Sequence, residues 1–145
     1  MYYDREAYES GEIDFKKLLD DKNTGVGITM CLASIQALCH GLSFISGWWT
    51  GVDHTNLYVR ATKLALVHSE ISEALEGARK DLNDDHLPNR KMEEVELADA
   101  IIRIFDYAET RGYNIGEAML EKLRYNQSRA DHKPENRQET GGKKI

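Results

Sequence analysis

Only two prolines, Pro88 and Pro134, interrupt this chain, and it holds no long alternating run of β-branched residues. The first scarcity leaves helices free to run. The second excludes an all-β fold and a regular alternation of strands with helices. The two cysteines, Cys31 and Cys39, fall on one expected helix. Their separation of about 12 Å along its axis is too great for a disulfide between them. They are expected as reduced thiols in a cytoplasmic protein. No Cys/His spacing of a structural zinc site occurs. Nor does any Glu-x-x-His, which a di-iron bundle carries on two of its helices. The first eleven residues are polar and acidic and lack the apolar core of a signal peptide. The apolar stretch 28–49 is broken by Gln36, His40, Ser43 and Ser46, so it reads as a buried helix rather than a membrane span. Positive charge is also short: 19 Lys and Arg stand against 25 Asp and Glu, for a net charge of −6. That balance argues against a general nucleic-acid binder.

What remains is helical. With 41% hydrophobic and 30% charged residues in 145, the chain suits one globular domain with a core of its own. A short helix is expected over 14–20, with a turn at Asn23-Thr24-Gly25. A second helix runs over 27–46 and is stopped by Gly47. Asp53 or Thr55 caps a third, which continues to residue 80. Residues 81–87 form a polar loop, short enough to make its flanking helices antiparallel neighbours. Pro88 suits the first turn of the fourth helix, which ends near residue 110 before Gly112. Asn114 with Glu117 resembles a capping box for a last helix, to about residue 129. The expected fold is all-α, a bundle of about four to five helices. It divides into an N-terminal extension with a short helix (1–26), a helical domain (27–130) and a basic tail (131–145). Residues 111–145 hold eight Lys/Arg against five Asp/Glu, whereas residues 1–110 hold eleven against twenty.

Four acids stand out. On the third helix, Leu64, Val67, Ile71, Ala74, Leu75 and Ala78 form a core stripe, and Glu70 and Glu73 border it one turn apart. On the fourth, Ala98, Ile101, Ile102 and Phe105, widened by Leu97 and Ala108, form the stripe. Asp99 borders it, with Glu96 one turn earlier. Antiparallel packing through these stripes brings the two pairs together at one end of the seam. The alternative is a solvated acidic face. Such a face usually offers Lys or Arg four residues after each Glu, yet Glu70 is followed by Ala74, Glu73 by Gly77 and Glu96 by Ala100. Only Asp99 has such a neighbour, Arg103. The like-charge pairs Glu70/Glu73, Glu73/Glu76 and Glu93/Glu96 disfavour a bare cluster. Hard oxygen ligands in this number suit Mg²⁺ or Mn²⁺.

The run Leu64-Ala65-Leu66-Val67-His68-Ser69-Glu70-Ile71-Ser72-Glu73, followed by Glu94-Val95-Glu96-Leu97-Ala98-Asp99-Ala100-Ile101-Ile102-Arg103, resembles the MazG-like all-α nucleoside triphosphate pyrophosphohydrolases. Their signature is Glu-x-x-Glu, a variable gap, then Glu-x-x-Asp. Here 22 residues separate the two halves. Gly47-Trp48-Trp49 resembles a Gly-Trp-Trp that often precedes the motif helix in small phage and bacterial members. Lys122, Tyr125, Asn126 and Arg129 resemble a Lys-x-x-Tyr-Asn-x-x-Arg run on the last helix, and Gly142-Lys143-Lys144 resembles a terminal Gly-Lys-Lys. The likeness spans roughly residues 40–145. It departs in a longer stretch between Asp131 and Gly141, and in Leu42 where many small members have Asn.

The resemblance implies Mg²⁺- or Mn²⁺-dependent hydrolysis of a (deoxy)nucleoside triphosphate to monophosphate and pyrophosphate, controlling a nucleotide pool. It implies Glu70, Glu73, Glu96 and Asp99 as catalytic and metal-binding residues, and Lys122, Asn126 and Arg129 as phosphate-binding. The alternative for those three is an ordinary exposed helix face. Trp48, Trp49 and His40 are candidates for the base pocket, with structural roles as their alternatives. The paired tryptophans lean the substrate toward a purine, dGTP or GTP. Arg103 either pairs with Asp99 or reaches a phosphate, and Tyr125 and Asp106 stand behind the site residues. The resemblance also implies a homodimer or homotetramer acting in the cytoplasm, a host's if the chain is phage-encoded, with neither nucleic acid nor membrane as partner. The competing function is a helical interaction module that keeps the fold without the chemistry.

Overall fold

The computed structural model describes residues 13–130, together with Ser10, Lys133 and Asn136. Among the described residues the chain is all-helical and contains no strand. Its helices are α1 (Phe15–Asp20), α2 (Lys22–Ile45), α3 (Leu57–Lys80), α4 (Met92–Thr110) and α5 (Ile115–Ser128). The tail 131–145 and its terminal lysines lie outside the described residues, Lys133 and Asn136 apart.

Local chemistry sets the helix ends. Asp14 accepts the Lys17 amide at 3.0 Å and caps α1. The expected turn at residues 23–25 is absent. Asp21 accepts the Thr24 amide through its side chain at 2.7 Å and the Gly25 amide through its carbonyl at 3.0 Å, so those residues become the first turn of α2. Gly47, at φ +84, closes α2 in the left-handed conformation, and the Trp48 amide returns to the Ser43 carbonyl. Asn56, rather than Asp53 or Thr55, caps α3 by accepting the Tyr58 amide at 2.8 Å. Asp53 spends its carboxylate on the amide and hydroxyl of Thr55.

Pro88 does not open α4. It occupies the second position of a turn closed by the Arg90 amide on the Leu87 carbonyl at 2.8 Å, where its fixed φ is favourable. The connection therefore runs over 81–91. A single bridge between Asn83 and Lys91 ties it. The buried Asp84 carboxylate holds it inside by accepting the amides of His86 and Leu87.

Residue contacts divide the chain into two compact units, Leu32–Ile115 and Met1–Cys31 with Gly116–Ile145. In the second unit, the Arg124 guanidinium of α5 donates to the Leu19 carbonyl that ends α1, at 2.9 and 3.3 Å. Leu120 is buried there and approaches Gly25.

In the first unit α3 and α4 pack antiparallel. Gly77 near the end of α3 meets the start of α4, while Lys63 and Arg60 near the start of α3 reach Asp106 and Tyr107 near the end of α4. A Cβ at Gly77 would stand 2.9 Å from Met92 Cβ and 3.0 Å from the Glu93 nitrogen, so the approach requires glycine. The seam differs from the one expected. Glu70, Ala74 and Gly77 of α3 and Glu96 and Ala100 of α4 are buried, whereas Leu64, Ile71, Leu75, Leu97, Ile101 and Ile102 are exposed. Small residues let the helices close on the acid-bearing side, and the broad apolar stripes lie about a quarter turn away. Because the helices are antiparallel, the stripes of Leu64, Ile71 and Leu75 and of Leu97, Ile101 and Ile104 share one face of the pair. Phe105 and Ala108 are the members of the expected α4 stripe that are buried.

The C-terminal half of α2 joins the unit through polar contacts. Gln36 donates to Glu109 at 2.7 Å and to the Tyr113 carbonyl at 2.8 Å. α2 was expected as a buried helix, yet Ile35, Leu38, Leu42, Phe44 and Ile45 are exposed. By length and composition α2 alone among the described helices is apolar enough to cross a membrane.

Candidate metal centre

The α3–α4 seam carries Glu70 directly opposite Glu96, with Asp99 one turn further along α4. Ligand oxygens of these three carboxylates all lie within 4.8 Å of one another, and Glu70 and Glu96 are buried. Glu73 stands outside this triad on an exposed stretch of α3, near enough for its charge to act on Glu96.

Such crowding is unfavourable for bare carboxylates. Burial pushes the Glu96 carboxyl up to about 7, helped by its hydrogen bond with Glu70 and by the charges of Glu73, Glu70 and Asp99. Asp99 is raised as well, first by burial and then by Glu70, with Arg103 opposing and Asp84 and His86 acting from the connecting loop. Arg103 reaches a third partner: its Nε lies 2.6 Å from Glu70 Oε1, across the seam. The donor set is all oxygen and converges from two helices, and its Glu96 and Asp99 carboxyls resist ionisation unless positive charge is supplied. This triad could hold a metal ion.

Two turns along the seam from the acids lies a second buried carboxylate, Asp106 of α4. Its Oδ1 faces His40 Nδ1 at 2.8 Å and accepts the Trp49 Nε1–H at 2.7 Å. Its Oδ2 accepts the Ser43 hydroxyl at 3.1 Å. Lys63 approaches Asp106 at 3.8 Å and lies 4.0 Å above the Trp49 ring. Trp49 is therefore buried and spoken for by its indole N–H and one face, with His40 set edge-on at 5.7 Å. Trp48 is 71% exposed. Burial of Cys39, with Asp106 nearby, raises its thiol pKa.

Lys122, Asn126 and Arg129 belong to α5 and to the other compact unit, save that Arg129 lies just past the helix end. Lys122 Nζ sits 4.6 Å from the Tyr125 ring centre, and the Arg129 guanidinium 6.0 Å from it. Asn126 Oδ1 is a buried acceptor without a donor. Sequence reasoning missed Lys63 and Ser43 and underrated Asp106. The available signal was an acid at Asp99 plus seven, hence on nearly the same face of α4. Compared with known proteins, the chain matches no protein-family profile, no curated protein and no solved structure.

Proposed function

We propose that this chain is a MazG-like nucleoside triphosphate pyrophosphohydrolase dependent on Mg²⁺ or Mn²⁺. The observation that carries the reading is the convergence of Glu70, Glu96 and Asp99 within 4.8 Å, with Glu96 pushed to about 7 by burial and then by its acidic neighbours. These are three of the four acids of the paired Glu-x-x-Glu and Glu-x-x-Asp runs, and Glu73 is the fourth. A divalent ion held there supplies Lewis acidity and a more acidic water.

In the reaction, water adds to the α-phosphorus, the α–β bridging bond breaks, and pyrophosphate leaves with the nucleoside monophosphate. The residues divide the labour. Glu70, Glu96 and Asp99 are the ligands, and Glu73 extends the acidic rim beside them. Lys122, Asn126 and Arg129 hold phosphate oxygens through cationic and amide groups. The polar cluster of His40, Trp49 and Asp106 lies about 10 Å along the seam from the acids, a distance set by seven helical residues. That spacing suits the nucleoside end of a substrate whose α-phosphate is at the metal. Trp48, with its ring exposed, is the stacking candidate, and a purine such as that of dGTP or GTP fits a large aromatic platform.

The chain acts as a homodimer or homotetramer. Leu75 is 61% and Ile101 52% exposed on one face of the α3–α4 pair, and α2 exposes a further apolar side. A single copy leaves both uncovered.

The test is a panel of the eight common NTPs and dNTPs with Mg²⁺ or Mn²⁺, resolving pyrophosphate from phosphate, with Glu73→Gln beside the native protein. Pyrophosphate release that falls in the variant is expected. Undiminished activity in Glu73→Gln removes Glu73 from the working site, and better turnover of dCTP or dUTP than of dGTP removes the purine preference. A helical interaction module without chemistry would release no pyrophosphate and gain no thermal stability from Mg²⁺.

A further inference from the structure

We infer that Arg103 is a resident counter-ion for Glu70 which a divalent cation displaces, leaving the guanidinium free to meet an anionic ligand. The inference rests on reading the acid cluster as a metal site and concerns how that site is charged. Arg103 has Asp99 four residues before it on its own helix, a spacing that favours a local pair. Its Nε instead crosses the seam to Glu70 Oε1 at 2.6 Å. The two partners are unequal: the Glu70 side chain is 6% exposed and that of Arg103 43%. A buried carboxylate without a cation is strongly disfavoured, and the Ser69 hydroxyl, 3.5 Å from Glu70 Oε1, brings no charge.

A cation ligated by Glu70, Glu96 and Asp99 must sit about 2.0–2.6 Å from its oxygens. That places it within a few ångströms of a guanidinium already bonded to Oε1, and like charges at that range repel. Glu70 and Glu96 are fixed by burial on two helices, and Asp99 stands on a short stem. Arg103 is the partly exposed member on a long, flexible stem, so it is the group that moves. A released guanidinium at the rim of the acid cluster is suited to oxygens of a phosphate, which it can bind in bidentate fashion. The contrary arrangement keeps Arg103 on Oε1 and the cation on Oε2. There Arg103 steadies Glu70, and its loss would weaken metal binding.

The two arrangements give opposite signs in one measurement. Mn²⁺ alone, without nucleotide, is titrated into the full chain at pH 8 and followed by the electron paramagnetic resonance of free Mn²⁺. The native protein, Arg103→Gln and Arg103→Lys are compared. Arg103→Gln is expected to bind Mn²⁺ about tenfold more tightly than the native protein, with Arg103→Lys between them. In EDTA, Arg103→Gln is expected to melt below the native protein, with the gap closing at saturating Mn²⁺. Unchanged or weaker Mn²⁺ binding by Arg103→Gln overturns the exchange while leaving the metal site standing. Absence of Mn²⁺ binding by both the native protein and Arg103→Gln overturns the metal site itself.

Discussion

Replacing Glu96 by Gln should stabilise the metal-free protein above neutral pH, a reversal of the usual cost of altering a buried residue. The folded protein holds the Glu96 proton up to about pH 7, whereas the unfolded chain releases it near 4.5. A group whose folded pKa is raised contributes most below its unfolded value, and that contribution drains away as pH rises to the folded value. Between pH 4.5 and about 7 the native protein in EDTA should therefore lose stability. The full shift corresponds to about 3 kcal/mol, and partial solvation of the cluster brings it to about 2–3 kcal/mol. For a chain of this length that is a fall of roughly 6–12 °C in Tm. Asp99 is raised too and acts in the same direction. Asp21, Asp53 and Asp81 are depressed by local hydrogen bonds and so titrate below this window. Glutamine keeps the shape and a hydrogen bond to Glu70 but carries no charge. Its unfolding profile should be flatter from pH 5 to 8 and lie above the native one at pH 8. Addition of Mg²⁺ should reverse the order, stabilising the native protein and leaving Glu96→Gln largely unmoved. The assay is urea or thermal unfolding by circular dichroism at fixed protein concentration, since association would shift Tm. A native profile in EDTA that is level or rises between pH 5 and 7, or a variant less stable than the native protein at pH 8, would refute the reasoning.

Gly77→Ala should destabilise by about 1–3 kcal/mol, read by thermal unfolding, because the new methyl meets α4 backbone and the Met92 side chain at 3.0 Å or less. Asp106→Ala strands the indole N–H of Trp49 and leaves His40, Ser43 and Lys63 without their shared acceptor. A loss of about 3–5 kcal/mol is expected, with a shift in tryptophan emission as Trp49 gains water. Leu75→Lys combined with Ile101→Lys should reduce the sedimenting mass toward that of a 16.5 kDa monomer. A native protein that sediments as a monomer at micromolar concentration would count against assembly.

The order and spacing of the helices were legible because capping residues and apolar period are local properties. Gly47 and Gly112 act where the chain alone says they should, and both have positive φ, while Asp14, expected inside the first helix, caps it instead. Errors arose where two local signals competed. Asp21 captured the Asn23-Thr24-Gly25 stretch for α2, and Pro88 found a tight turn instead of a helix start. The packing face was not legible. Periodicity identifies an apolar side of α3 and α4, yet it cannot say whether that side meets the neighbouring helix or another partner. Gly77 and Ala74, small enough for close approach, decided the matter in favour of the acid-bearing side. The pairing of Glu70 and Asp99 with Glu96 was legible from spacing. The reach of Arg103 across to Glu70 was not, because its own helix offered Asp99 at the standard interval.

The contacts of α4 with α2 also bear on how the molecule opens. Residues 23–52 contain no Lys, Arg, Asp or Glu, so this segment brings no charge pair to its own fastening. Its hydrogen bonds to the end of α4 include Gln36 on Glu109 and on Tyr113 just beyond the helix, and His40, Ser43 and Trp49 on Asp106. Fraying of that helix end would release the half-helix and the aromatic turn together, as one cooperative unit. Amide hydrogens over 36–49 and over 103–110 should then exchange with a common opening free energy, smaller than that of the stretch around Ala74 and Ala100. A nucleoside resting against that cluster would slow both sets at once.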